Sequence, residues 1–195
     1  MKEINLANKK VSPVAWVPTL YFAMGMPFVV LNMVLSLLYK DLGIGNAEIT
    51  FWTGLIMLPW TLKFLWSPLL ELYKTKKFFV VLTPVVSGVG LGLAAISLHL
   101  PDFFAISIAL FAVVALSGAT HDIAADGTYM GVLSKEDQAR WIGWQGAFYN
   151  IAKIFATGLL VYLAGLFIPK VGVTMAWPIV MAILGIIMTV IGILH

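Results

Sequence analysis

Asp122 and Asp126 stand four residues apart, with His121 next to the first. On a helix, residues i and i+4 share a face, so both carboxylates would project the same way. Two close carboxylates resist simultaneous ionisation, a property that suits a group binding and releasing a proton. Lys63 and Lys153 are the basic residues set in apolar surroundings. Lys63 can pair with one of the acids or meet an anionic solute. Lys153 has Asn150 near it, and Gln145, Tyr149 and Asn150 form a polar strip along one helix. Asn32 adds a polar group to an earlier apolar block. Two readings stay open for all of these residues. They are coupling, gating or substrate-binding groups, or they are structural ion pairs, caps and interhelical hydrogen bonds.

Other chemistries find little support. One histidine with two acids suggests a metal, but His121 and Asp122 are consecutive and diverge on a helix, so no metal site is expected. No nucleotide-binding or metallohydrolase motif occurs, and no cofactor is expected. The absence of cysteine removes disulfides and thiol nucleophiles. With no catalytic constellation, the chain does not read as an enzyme.

The elements that position these side chains follow from composition. The 195 residues are 61% hydrophobic and 11% charged, with a mean hydropathy of +0.98. Soluble domains carry about 25% charged residues, so a water-exposed surface could not be covered here. The apolar residues come in blocks of at least the ~20 needed to cross a bilayer. They predict six spans, at about 14–39, 49–72, 78–98, 103–133, 141–166 and 175–194, in one bundle covering 1–195. Lipid-facing sheet edges are not viable and barrel alternation is missing, so the fold class is all-α transmembrane. Pro18, Pro27, Pro59 and Pro68 lie inside or near spans, where neighbours can satisfy freed carbonyls. Asn46–Ala47–Glu48 and Ser134 to Asp137 supply helix starts.

Orientation follows from the basic residues. Lys2, Lys9, Lys10, Lys74, Lys76, Lys77, Lys135 and Arg140 fall on one side of this topology, Lys40 and Lys170 on the other. The positive-inside bias then puts both termini in the cytoplasm. The net charge of +3 reflects that bias, and no nucleic-acid partner is expected. Met1 to Lys10 is polar, and no cleavable signal peptide is expected. Trp16, Trp66, Trp141 and Trp177 sit near span ends, where aromatic belts are expected. Gly88, Gly90 and Gly92, and also Gly143 and Gly146, read as helix-packing surfaces. Burying charge in lipid is costly. That cost places the first, second, fourth and fifth spans around a polar pathway and leaves the third and sixth towards lipid. Two three-helix groups allow an inverted repeat.

Three segments carry a family resemblance. They are Tyr21–Phe22–Ala23–Met24–Gly25–Met26–Pro27, the run from Leu58–Pro59–Trp60 through Lys63 to Ser67–Pro68–Leu69, and Ala119–Thr120–His121–Asp122 through Asp126–Gly127. Together they resemble the AmpG-like muropeptide permeases of the major facilitator superfamily, which stand alongside the acetyl-CoA transporter group. The resemblance covers nearly the whole chain. It implies the N-terminal six-helix half of a twelve-helix secondary transporter working by alternating access, in the bacterial cytoplasmic (inner) membrane. It also implies that Lys63, Asp122 and Asp126 matter, and that the solute is organic and anionic, such as a muropeptide, often with proton symport. The expected partners are the lipid bilayer, a small-molecule solute, protons and a second six-helix half. That half would be a further C-terminal segment or another copy. The superfamily's gating-loop motif is Gly-x-x-x-Asp-Arg-x-Gly-Arg; here Glu71, Lys74, Lys76 and Lys77 keep an acid and basic residues, without the Arg and glycines. His121 stands where the permeases carry Gln. The alternative function is a non-transporting membrane interaction or assembly protein that retains the half-fold.

Overall fold

A computed structural model describes residues 12–73 and 75–195, without the side chains of Glu71 and Tyr73. Every element among them is helical. Helix α1 spans Pro13–Asp41; Pro13 opens it, where a missing N–H goes unmissed. Three residues after Pro27 the helix widens into a π-turn over Val30–Val34. Helix α2 (Asn46–Ile56) has Glu48 in its first turn, where the helix dipole favours an acid. Three short pieces follow: α3 (Leu58–Leu62), a 3-10 turn (Lys63–Leu65) and α4 (Ser67–Tyr73).

The long helices then resume. Helix α5 (Lys76–Ser97) is capped by the Thr75 hydroxyl, which accepts from the Phe78 N–H at 3.3 Å. Helix α6 covers Phe103–Val132. Helix α7 runs through Lys135–Val171 and is capped by Ser134, whose Oγ accepts from the Asp137 N–H at 3.1 Å. It carries a second π-turn, Phe155–Leu160. A single residue, Gly172 at φ 79°, joins it to α8 (Val173–Leu194); the left-handed backbone there favours glycine.

Five described helices, α1, α5, α6, α7 and α8, are long and apolar enough to cross a membrane. They match five of the six expected spans to within a few residues at most ends, although α7 extends well past the expected 141–166 at both ends. The second expected span, 49–72, takes a different form. It is a chain of short helices, not one continuous helix. Proline explains the breaks. Pro59 occupies the first turn of α3 and cannot continue the hydrogen-bond ladder from α2. Pro68 likewise cannot donate to the Phe64 carbonyl, and the chain tightens into the 3-10 turn just before it.

Helix α1 packs along α7 and α6, while α5 lies between α6 and α8. The α5–α8 contact depends on glycine. A Cβ on Gly185 would lie 2.7 Å from the Gly88 carbonyl oxygen, and one on Gly192 would lie 2.9 Å from the Val81 carbonyl oxygen. The two helices approach closely there, the small-residue mode of membrane helix packing. Gly185→Ala should therefore lower thermal stability in detergent by about 1–3 kcal/mol, the usual scale for overpacking. Gly92→Ala is the control, because its Cβ would meet nothing within 4 Å. Equal melting temperatures for the two variants would contradict this account. Gly143 and Gly146 do not form such a surface; both are exposed, with nothing within 4 Å of an added Cβ.

Two of the four expected belt tryptophans are instead internal pins. Trp177, 1% exposed, donates to Asp41 Oδ2 at 2.9 Å and ties α8 to the end of α1. Trp66 donates to the Thr120 hydroxyl at 3.2 Å. Hydropathy locates an indole along a helix axis but not around it.

Candidate functional site

The acids of α6 share a face and are held by different partners. Asp122 Oδ2 lies 3.2 Å from Lys63 Nζ, in the one ion pair among the described residues. Asp126 Oδ1 accepts from the Tyr21 hydroxyl of α1 at 3.1 Å. The Gln145 side-chain amide of α7 in turn donates to that hydroxyl at 2.7 Å. Lys63 acts electrostatically on both carboxylates, and the Tyr149 phenol of α7 lies in the field of Asp122. One charged group thus joins α1, the broken second segment, α6 and α7. These are the four spans that the cost of buried charge had placed around a polar pathway.

The break in the second segment is what delivers Lys63. The 3-10 turn brings residues three apart closer to alignment, and Trp60, Lys63 and Trp66 all meet α6. Trp60 rests on Gly118, whose missing Cβ would lie 2.8 Å from the indole. Lys63 meets Asp122 and Trp66 meets Thr120. In a straight α-helix, at 3.6 residues per turn, Trp60 and Trp66 would stand about 120° apart around the axis.

Asp126 borders two cavities. One, of about 250 Å³, is lined by Lys63, Ser67, Lys76 and Gly127 among others. The other, of about 520 Å³, is lined by Tyr21, Tyr129, Lys135 and Gln145 among others. Lys76 lies across Gly127, within 3.1 Å of where a Cβ would stand there. A carboxylate between two openings, hydrogen-bonded through a phenol to an amide, can exchange a proton with either. A larger groove of about 620 Å³ between α5 and α8 is almost wholly apolar and lies away from this group.

Residues 19–195 match the sequence profile described as the Major Facilitator Superfamily. The chain belongs to that family. No curated protein and no solved structure matches it. Membership in the superfamily, together with the apolar helices, makes this a multi-pass membrane protein of a transporter family. The all-helical bundle agrees with part of a major facilitator fold.

Within that superfamily bundle, the expected site residues divide. Lys63, Asp122, Asp126 and Gln145 come together. Asn32, Asn150 and Lys153 do not join them, and all three are exposed. Asn32 sits in the π-turn of α1; the Asn150 amide donates to its own helix, at the Gly146 carbonyl, over 2.7 Å. Spacing put these residues at the right height but could not fix which way each helix turns its face. His121 is buried against other helices. Its Nε2 lies 3.3 Å from the Leu20 carbonyl, which can only accept, and its Nδ1 lies 2.8 Å from the Thr83 hydroxyl. It therefore crosslinks α1, α5 and α6, and it brings the third span into a polar contact that the lipid-facing expectation had not foreseen. Of the gating-loop residues, Lys76 lines the smaller cavity and Lys77 is exposed. Lys74 and the side chain of Glu71 lie outside the described residues.

Sequence reasoning missed Tyr21, Trp60 and Thr83. Tyr21 reaches Asp126 across 105 positions, and no local pattern announces such a contact. Trp60 had a usable signal, since it stands three residues before the one lysine of its segment.

Proposed function

We propose that this chain is the N-terminal six-span half of a proton-coupled secondary transporter for an organic anion, a muropeptide being the named candidate. The reading rests most on one observation, the Lys63–Asp122 pair continuing through Asp126 and Tyr21 to Gln145. Charge held within apolar helices is costly and in transporters marks ion or substrate pathways. In this reading the broken segment Asn46–Tyr73 is the sixth crossing, Lys63 attracts the solute's negative charge, and Asp126 carries the proton. A second six-helix half closes the cavity, supplied by a further C-terminal segment or another copy. The exposed Asn32, Asn150 and Lys153 then face that shared space. The membrane is the bacterial inner membrane, and both termini are cytoplasmic.

The topology can be tested with single cysteines, because residues 1–195 contain none of their own. Single cysteines replace Lys135 and Lys170, and intact cells are treated with an impermeant maleimide. Lys170→Cys should be labelled from outside, and Lys135→Cys only after permeabilisation. Labelling of both from the same side would overturn the six-crossing arrangement. The function itself is tested by solute uptake, with the expected outcome given in the Discussion.

A further inference from the structure

Three indole nitrogens of this chain sit inside the bundle. Trp177 Nε1 has a carboxylate partner in Asp41, and Trp66 Nε1 has a hydroxyl partner in Thr120. Trp60 Nε1 is buried with no hydrogen-bond partner within ordinary limits, and so is Asp122 Oδ1. The Trp60 indole lies against Gly118, one helical turn before Asp122 on the same face of α6, so the two side chains are neighbours. A buried donor and a buried acceptor, each lacking any other partner, are both expensive to leave unmet. The other oxygen of Asp122 is already taken by Lys63.

We infer that Trp60 is a positioning residue for Asp122, its indole N–H serving Oδ1 while Lys63 serves Oδ2. The two donors stand three residues apart across the α3 to 3-10 junction, so the broken segment grips the carboxylate from both sides. The indole is itself held in place. It rests on Gly118 and meets Phe28 edge to face at 5.3 Å between ring centres. Phe can occupy this pocket, but it cannot donate. Trp60 thereby fixes the direction in which Asp122 presents its charge to Lys63, Asp126 and Tyr149. This assignment rests on the reading of Asp122 as a functional carboxylate only for its importance; the contact itself can be tested without any solute.

The test is a ¹⁵N–¹H spectrum of the indole groups in the tryptophan-labelled full chain in lipid nanodiscs. The one indole signal lost in Trp60→Phe identifies Trp60. In Asp122→Asn the Trp60 proton signal should move upfield, by more than any other indole signal, because a neutral acceptor replaces a carboxylate. The Trp177 signal, bonded to Asp41, should stay in place and serves as the internal control. A Trp60 signal unmoved in Asp122→Asn would overturn the assignment. Should Asp122→Asn fail to fold, Trp60→Phe supplies the reverse readout through the infrared carboxylate absorption of Asp122. A frequency shift supports the assignment, and an unchanged band refutes it. Absence of transport in a separate assay would leave both outcomes intact, so the two readings fail independently.

Discussion

Lys63→Met is expected to lower the unfolding free energy of the purified protein by about 3 kcal/mol, near the lower end for breaking a buried pair. The estimate sits low because the Lys63 side chain is 36% exposed, whereas that of Asp122 is 9% exposed, and solvent screens the exposed partner. The damage comes from Asp122, a buried carboxyl left without its partner. Adding Asp122→Leu to Lys63→Met should therefore recover most of the loss, since an apolar pair replaces an ionic one at little net cost. A double-mutant cycle read by thermal unfolding in detergent separates this from simple additivity. Two losses that merely add would mean that the pair makes no energetic contact.

Asp126→Asn should abolish pH-gradient-driven accumulation while leaving solute counterflow intact. Asparagine keeps an oxygen that can accept from the Tyr21 hydroxyl, so the local hydrogen-bond frame survives. It has no proton to exchange. Exchange of solute across the membrane needs only the alternating conformations, whereas accumulation needs the proton. Proteoliposomes loaded with unlabelled solute and challenged with labelled solute distinguish the two. Full accumulation in Asp126→Asn would remove that residue from the coupling step, and loss of counterflow together with accumulation would point to a structural role instead.

Much of the architecture was legible in the sequence because lipid imposes a simple constraint. Long apolar runs had to be helices, and α1, α5, α6, α7 and α8 fell near the expected places. The acids at 122 and 126 were legible for the same reason, since helical spacing fixes their shared face. The second span was not. Its hydropathy is continuous, and whether Pro59 and Pro68 kink a helix or divide it depends on neighbours that compensate for the lost hydrogen bonds. Here Trp60 against Gly118 and Trp66 against Thr120 hold the divided segment to α6 by side-chain contacts. The facing of Asn32 and Lys153 was hidden for a related reason. A polar residue in an apolar run signals depth, while its direction is set by which small residues let two helices close. Gly25 does this for α1 and α7, where an added Cβ would lie 3.0 Å from Ala152 Cβ. That contact turns Asn150 and Lys153 outward.

The central claim is that this charged group moves a proton together with an anionic solute. The measurement that bears on it most directly is proton flux driven by solute alone. The full-length protein is reconstituted into lightly buffered proteoliposomes, an inward muropeptide gradient is imposed without any pH gradient, and external pH is recorded. The account predicts alkalinisation of the medium on solute addition, collapsed by a protonophore and absent in Asp126→Asn. Solute entry with no pH change in the wild-type protein would contradict it.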